Sequence, residues 1–169
     1  TWHKVNATGG PMDNLLYTTD GGQLFGAYNN ENNEIWAWKW RSSDTDTSFG
    51  LYKLDMSSLT WTRYYSGNSD ILANNSGDHI NDVFCDTNGN VWAATRYGVF
   101  KYSSGSWTQL TKETDQITSN RVHKIQEDSD ARVWIVGLNE ADIGDMTTKG
   151  GISIYDSSAA SWEYYTARN

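Results

Sequence analysis

The chain alternates short apolar or aromatic runs with polar turns, and the same order of runs recurs along its length. Trp2, Trp61, Trp107 and Trp162 each open a run in which apolar and polar residues alternate, which is the pattern of a half-buried β-strand. Further short runs lie between these tryptophans, separated by Gly, Asn, Asp and Ser, which favour tight turns. A unit of about 40 to 50 residues with four strands is typical of a β-propeller blade. The pattern therefore predicts an all-β, propeller-type array of four-stranded antiparallel blades.

Two units align closely when Trp92 is placed on Trp134. In each unit an inner strand precedes an acidic turn, and the tryptophan lies in the strand that follows. A glycine, Gly98 or Gly151, then opens a third strand, and the outer strand with its repeated tryptophan comes last. Each blade is therefore expected to contain an inner strand a, strands b and c, and an outer strand d.

A looser copy precedes these two units. Its strand a is assigned to 14–17 and its strand b to 24–28, so that Phe25 stands where Trp92 and Trp134 stand. The predicted organisation is a single propeller-type domain with about three blades and one extra outer strand. The blades are expected at 9–66, 67–112 and 113–169, and the extra strand at 1–8.

Three blades are fewer than the roughly four to eight that usually close a propeller. They would leave sheet faces and strand edges uncovered. The chain is then a piece of a longer chain, or several copies assemble, or the blades form an open arc on a partner. Residues 1–8 look like the outer strand of a blade whose inner strands lie upstream, which favours the first of these alternatives.

The second and third units share a longer motif. It spans 80–86 with 89–95, and 120–128 with 133–137, and its end is matched again at 150–156. These stretches resemble the two-component-regulator propeller repeat. The resemblance implies an extracytoplasmic sensor propeller, as in hybrid histidine kinases that detect polysaccharide fragments, and hence a binding or scaffold role. It implies turn or packing roles, and no catalytic role, for the motif residues Gly89, Asp86, Asp128, Trp92 and Trp134.

Composition and charge narrow the choice of partners. The 169-residue chain carries a formal net charge of −8, so a nucleic-acid backbone or an anionic membrane would repel it. No apolar run is long enough to insert into a membrane. Nine Trp and ten Tyr predict a core built from few large rings. The single cysteine, Cys85, lies in a predicted strand and cannot form an internal disulfide, which favours a structural role.

Two long connections between strands b and c, predicted at 29–48 and 139–149, interrupt the repeat. In a propeller these connections share one face with the links from strand d to the next strand a, and such loops commonly carry ligand sites. The first connection contains three alternating tryptophans, which on an extended segment would share one side. This ladder is a candidate platform for stacking of sugar rings or a peptide, and packing on a neighbouring blade is the alternative. The candidate ligand-binding residues here are Trp36, Trp38, Trp40 and Arg41.

A second candidate group lies near the predicted starts of inner strands, where side chains border the central opening. A related type of propeller, the streptogramin lyases, uses a histidine and acids around that opening, and a histidine there would act as a general base. The alternative is hydrogen bonding that ties adjacent blades together. The residues of this group are His79, Asn81, Asn120, Arg121 and His123.

Oxygen-bearing side chains recur at alternate positions in two turns. Asp44, Asp46 and Ser48 have the spacing of a calcium loop, but the glutamate that closes such a loop is missing. Residues 86–90 have a similar spacing, yet the repeat places them in a hairpin turn. Glu140 belongs to a further acidic loop. No cofactor is therefore expected, and calcium at residues 44–48 is a weak candidate.

The sequence thus predicts a non-enzymatic recognition, sensor or scaffold module in the extracellular or periplasmic space. It would bind a carbohydrate or a protein partner through loops on one propeller face. A lyase-type enzyme and a purely structural scaffold are the alternatives. The remaining blades of a longer chain, or other copies of this chain, are further expected partners.

Overall fold

The computed structural model describes residues 24–29, 31–39, 50–65, 80–114, 116–140 and 149–166. Within these residues the chain forms three separate four-stranded antiparallel sheets. The first blade comprises β1 (Leu24–Asn29), β2 (Glu34–Lys39), β3 (Gly50–Asp55) and β4 (Thr60–Tyr64). The second comprises β5 (Ile80–Cys85), β6 (Val91–Thr95), β7 (Gly98–Ser103) and β8 (Ser106–Leu110). The third comprises β9 (Val122–Glu127), β10 (Arg132–Gly137), β11 (Gly151–Asp156) and β12 (Ser161–Thr166).

This architecture confirms the predicted all-β, propeller-type array. Strands pair in the order a, b, c, d within each blade, and a short 3-10 helix, Lys112–Thr114, lies in the link between the second and third blades. In the described part of the chain, no helix is long and apolar enough to cross a membrane. The predicted strands at 1–8 and 14–17 lie outside the described residues.

The second blade is covered on both faces. Val91 and Ala93 of β6 pack in a core shared with the first blade, which we call the first junction. Trp92 and Ala94, on the opposite side of the same strand, pack in a core shared with the third blade, the second junction. All residues of β6 are buried as a result, because successive side chains of a strand point to opposite faces.

The first blade differs from the sequence-based assignment. In the described sheet β1 stands in the place of strand a and β2 in the place of strand b, so the b to c connection runs over 40–49 instead of 29–48. Trp36, and not Phe25, therefore stands at the repeat position of Trp92 and Trp134. Each of these three indoles donates a hydrogen bond to a carboxylate, at 2.9, 2.8 and 2.7 Å respectively.

The first blade was assigned wrongly because the carboxylate that accepts from its tryptophan occupies a different position in the sequence. Asp86 and Asp128 lie six residues before their tryptophans, whereas the acceptor of Trp36 is Glu34, only two residues before it in the same strand. A search for an acidic turn at the usual spacing therefore misses the first blade. The hairpin turn that precedes β2 instead uses Asn33 with a φ of 52°, a left-handed conformation that asparagine tolerates.

Candidate functional site

The candidate tryptophan ladder lies in strand β2. Trp36 and Trp38 are 0% and 5% exposed and belong to the core of the first junction, so protein covers both rings. The interpretation of these two residues as an exposed stacking platform is wrong. Both rings pack on the neighbouring blade instead. The candidates Trp40, Arg41, His79, Asp44, Asp46 and Ser48 lie outside the described residues.

The remaining candidates of the central group lie at the start of β9 and beside it. Asn81 donates from Nδ2 to the backbone oxygen of Val122 at 2.6 Å, which joins the second blade to the third. Asn120 accepts from the backbone nitrogen of Lys112 and donates to the carboxylate of Glu113. The Asn81 amide therefore ties the second blade to the third, and the Asn120 amide holds the link between them.

Of the other two members of that group, Arg121 is half-buried and His123 is exposed. Arg121 donates from Nη1 to the backbone oxygen of Asn139 at 3.4 Å, so it contacts the start of the second long connection. His123 is exposed on β9. Whether either one contacts a ligand stays a prediction.

A buried carboxylate anchors the second long connection. Glu140 is 2% exposed, accepts from Ser119 Oγ at 3.0 Å and from the backbone nitrogen of Asn120, and forms an ion pair with Lys112. The loop is thereby tied to the link between the second and third blades. Sequence reasoning missed this role, because neither burial nor a partner in another segment can be read from a local acidic pattern.

The second junction is held by hydrogen bonds between side chains and backbone. The carboxylate of Asp82 accepts from the backbone nitrogen of Ile125 and from Lys124 Nζ, both at 3.0 Å. At the opposite end, Glu127 accepts from both the backbone nitrogen and the hydroxyl of Thr87. These contacts fix the third blade against the second at both ends of their inner strands.

The first junction is built mainly from aromatic rings. Trp36, Tyr64, Tyr102 and Trp107 form a cluster in which the measured ring centroids are 4.9 to 6.2 Å apart. Lys53 Nζ lies 5.9 and 5.6 Å from the ring centroids of Trp36 and Tyr102. Such ring contacts contribute to stability beyond the buried area alone.

A cleft opens where the first junction meets the face that carries the a to b and c to d turns. We call it the junction cleft; its volume is about 280 Å³. The first blade contributes Asn32 and Glu34, and the second contributes the turn at 88–90 with the segment 102–105. Its walls are therefore mainly amides, hydroxyls and turn backbone. Sequence reasoning placed candidate ligand sites on the opposite face and missed this one.

The third blade has a face that no other described blade covers, which we call the open face. It includes Trp134, Val136, Ile152 and Tyr165, which lie beside one another through the pairings of β10 with β11 and of β11 with β12. The first three are half-buried and Tyr165 is 58% exposed. The residues at the matching positions of the other blades, such as Trp92 and Val99, are buried in a junction.

Cys85 and Asp86 lie at the end of β5 and in the turn that follows it. Burial, with the nearby charges of Asp86 and Glu34, raises the pKa of the Cys85 thiol to about 12, so it stays protonated at neutral pH and is a poor nucleophile. Asp86 accepts from two backbone nitrogens of its turn and from Trp92. Among the described residues, no group of three or more His, Cys, Asp or Glu side chains could hold a metal ion.

No protein-family model and no curated protein matches this chain. Solved structures with a similar fold include the extracellular domain of BT4673, described as a hybrid two-component system, from B. thetaiotaomicron. That match has a TM-score of 0.54 at 16% identity and covers 85% of this chain and 17% of that one. A second BT4673 extracellular domain, described as a one-component system, gives 0.51 at 14% identity, covering 86% and 24%.

A third structure, described as a gluconolactonase, matches with a TM-score of 0.52 at 8% identity, covering 92% of this chain and 56% of that one. The chain thus spans less than two thirds of the length of each of these structures. At these identities the likeness concerns the fold, and a fold hosts many functions.

Proposed function

We propose that this chain is a non-enzymatic recognition or sensor module that works outside the cytoplasm by binding a protein partner or a carbohydrate. The fold that it shares with extracellular domains of a two-component system supports this proposal, as does its resemblance to the propeller repeat of such sensors. The observation that carries it is this shared fold; the open face of the third blade is a separate contact surface, because a contiguous apolar surface is typical of an interaction site.

The repeat indicates what the open face binds. At both formed junctions the tryptophan of strand b and an aliphatic residue of strand c lie against the next blade and are buried: Trp36 with Leu51, and Trp92 with Val99. Trp134 and Ile152 occupy the same positions on the open face. The occupant that fits is therefore a further four-stranded sheet of the same kind.

The incoming sheet has a recognisable composition at both junctions. Its inner strands contribute β-branched residues, such as Val83 at the first junction and Ile125 at the second. Its strand c contributes a tyrosine and its strand d a tryptophan. A head-to-tail copy of this chain would have to use the matching face of the first blade. There Tyr52 and Leu54 are already buried, so we propose a further blade and not a second copy.

Photocrosslinking in the source cells tests the proposed contact. Tyr165 is replaced by p-benzoylphenylalanine, and Tyr164, 46% exposed on the other side of the same strand, gives the matched control. We expect crosslinks from position 165 to a four-stranded sheet that has β-branched residues in its inner strands and a Tyr and a Trp in its last two strands, and few from position 164. Equal crosslinking from both positions, or a crosslink to a second copy of this chain, would contradict the proposed occupant.

The enzymatic alternative depends on His123, which is exposed on β9, and on the fold that the chain shares with a gluconolactonase. It is tested by assaying lactone hydrolysis and polysaccharide cleavage with the purified chain and with His123→Ala. We expect no turnover above that of buffer. A turnover that His123→Ala abolishes would overturn the non-enzymatic proposal.

A further inference from the structure

We propose that Ser129 is a docking point for a carboxylate side chain that ends the inner strand of the further blade. This inference rests on the proposed function, because it names a chemical feature of the blade that would cover the open face. Ser129 lies in the a to b turn of the third blade, between β9 and β10. It is exposed, and within the described residues neither its backbone nitrogen nor its hydroxyl has a hydrogen-bond partner.

The second junction shows what a residue at this position does when a blade is present. Thr87 has in the second blade the position that Ser129 has in the third, because each lies five residues before the tryptophan of strand b. Thr87 donates from its backbone nitrogen to Glu127 Oε2 at 3.0 Å and from its hydroxyl to Glu127 Oε1 at 2.9 Å. Glu127 is the last residue of β9, the inner strand of the next blade. Two donors thus converge on the two oxygens of one carboxylate, which gives strong, charge-assisted hydrogen bonds.

The two turns are built by the same set of hydrogen bonds. Asp86 Oδ1 accepts from the backbone nitrogens two and four residues further on, at 3.0 and 2.7 Å. Asp128 Oδ1 accepts from the equivalent nitrogens at 2.9 and 3.0 Å. In both turns Oδ2 accepts from the tryptophan of the following strand, and the third residue after the aspartate, Gly89 or Ala131, has a left-handed φ of 78° or 59°. Ser129 therefore presents its two donors in the same direction as its counterpart in the second blade.

The net charge of this turn is the same as that of the turn at the second junction. Residues 86–90 carry one aspartate, and residues 128–132 carry two aspartates and one arginine, so each turn has a net charge of −1. Arg132 Nη2 lies 3.6 Å from Asp130 Oδ2, and its charge offsets that of the additional aspartate. An incoming carboxylate therefore meets no more net negative charge here than Glu127 meets at the second junction.

The first junction differs at both of these positions. Glu31 has there the position of Thr87, and Cys85 has the position of Glu127. A carboxylate in the turn would repel a carboxylate at the end of the facing strand, and Cys85 is neutral because burial raises the pKa of its thiol to about 12. The third blade has a hydroxyl donor in its turn, as the second blade has. Its partner should therefore resemble Glu127 and not Cys85.

His123 is a second polar group that can bind the further blade. It has the position of Asn81, whose Nδ2 donates to the backbone oxygen of Val122, the first residue of the next inner strand, at 2.6 Å. His123 is exposed and forms no side-chain hydrogen bond with the described residues, and a neutral imidazole has one N–H donor. Lys124, which has the position of Asp82, already pairs with Asp82 at 3.0 Å. His123 and the turn serine are therefore left to bind the two ends of the incoming inner strand.

An extended chain tests the docking point with a blade of known sequence. Residues 112–169 are repeated directly after Thr166, in place of residues 167–169, because Thr166 has the position of Thr111 and the spacing between blades is then kept. The inner strand of the appended copy ends in a second Glu127. We expect the copy to cover the open face and to slow hydrogen exchange of the Ser129 amide at least about tenfold relative to the unextended chain.

Three variants of the appended copy separate the carboxylate from the rest of the blade. Glu127→Ala should return the Ser129 amide to the exchange rate of the unextended chain, whereas Glu127→Gln keeps an oxygen acceptor and should retain part of the protection. Gln126→Ala is the control, because this exposed side chain lies on the other side of the same strand; it should leave the exchange rate within about twofold. Hydroxyl-radical footprinting of Tyr165, 58% exposed without the copy, reports independently whether the blade has docked.

The outcomes distinguish the docking point from the proposed occupant and from the proposed function. If Tyr165 becomes protected but the Ser129 amide does not, or if its protection survives Glu127→Ala, the carboxylate docking point is overturned and the further blade stands. A Tyr165 that stays exposed would overturn the further blade as the occupant, and this inference with it. Turnover of a lactone or a polysaccharide that depends on His123 would overturn the recognition function itself, whatever the exchange rate of the Ser129 amide.

Discussion

The first and second junctions use the same repeat positions but are stabilised in different ways. At the first, rings from both blades cluster around Trp36, and Trp107 Nε1 is buried without a hydrogen-bond partner. At the second, Trp92 packs among aliphatic residues and against the ring of Tyr155, and Asp82 and Glu127 bind backbone groups across the junction. Across the first junction Asn32 donates to the backbone oxygen of Gly89, whereas across the second both Glu127 and Ser157 bind the turn of the preceding blade. The junction cleft lies at the first junction, where the described contacts between the turns are fewer.

The two junctions also differ in the charge next to their tryptophans. In each, a lysine of strand c lies near the tryptophan of its own blade and a tyrosine of the next: Lys53 at the first and Lys101 at the second. Burial lowers the pKa of Lys101. Burial also acts to lower the pKa of Lys53, but the hydrogen bond and charge of Glu34 outweigh it, and that pKa is raised. The first junction therefore contains a paired charge and the second a partly desolvated one.

Truncation of the repeat tryptophan should give the largest effect and separate formed junctions from the open face. Trp36→Ala and Trp92→Ala should each lower the free energy of unfolding by about 3 to 5 kcal/mol, because a fully buried indole leaves a large cavity. Trp134→Ala should cost about half as much, since its ring is half-buried on the open face. Urea unfolding followed by circular dichroism measures all three. Equal losses at the three positions would contradict the distinction between covered and open faces.

Removal of the Asp82 carboxylate should give the next largest effect and act on the second junction alone. Asp82→Ala should cost about 1 to 3 kcal/mol, because it leaves the buried backbone nitrogen of Ile125 without its acceptor. Asp82→Asn keeps an acceptor and should cost less. Lys124→Met should cost less than about 1 kcal/mol, because that side chain is 53% exposed. Hydrogen exchange of the Ile125 amide should accelerate in Asp82→Ala only; acceleration of first-junction amides instead would contradict this.

The comparison also shows which parts of the molecule the sequence can reveal. The strands of the second and third blades follow from alternation and turn residues, and the roles of Gly89, Asp86 and Trp92 follow from the repeat motif. Gly89 has a φ of 78° and Asp86 caps its turn, as predicted; the hydrogen bond from Trp92 to Asp86 was not predicted. Such features are local in sequence, so a pattern of a few residues is enough to predict them.

The features that differ between the junctions are not local. Two differences accompany the cleft. The c to d turn at the first junction, 104–105, is two residues shorter than the one at the second, 157–160, and Cys85 occupies the position that Glu127 has in the third blade. The effect of either difference is visible only when the blades are placed side by side. The burial of Trp36 and Trp38 depends in the same way on the register of β2 against its neighbours. The first blade has Glu34 where the other two blades have a turn aspartate, so the sequence-based assignment places β2 at the wrong position in the blade. Contacts between repeats are therefore the part that the sequence pattern does not determine.

A substitution that makes the second junction resemble the first should lower the free energy of unfolding moderately. Glu127→Cys places at the end of β9 the residue that β5 has, and Thr87 then loses its acceptor. We expect a loss of about 1 kcal/mol in the free energy of unfolding and faster hydrogen exchange at the Thr87 amide. Gln126→Cys, on the exposed side of the same strand, is the control and should change neither. An unchanged Thr87 amide in Glu127→Cys would show that this hydrogen bond does not close the second junction.

The smallest expected effect is a pH dependence at the turn of the third blade. Hydrogen bonds from Trp134 and from Arg132 hold the pKa of Asp128 at about 2, below its ordinary value of 3.8. A carboxyl group whose pKa is lower in the folded chain stabilises the fold fully above its unfolded pKa, and that contribution is lost as the pH falls from about 4 to 2. The unfolding free energy should therefore decline over this range, and less steeply in Asp128→Asn, whose amide does not titrate. Parallel profiles for the two proteins would mean that Asp128 does not hold Trp134 in solution. The open face would then owe the orientation of its tryptophan to the sheet alone.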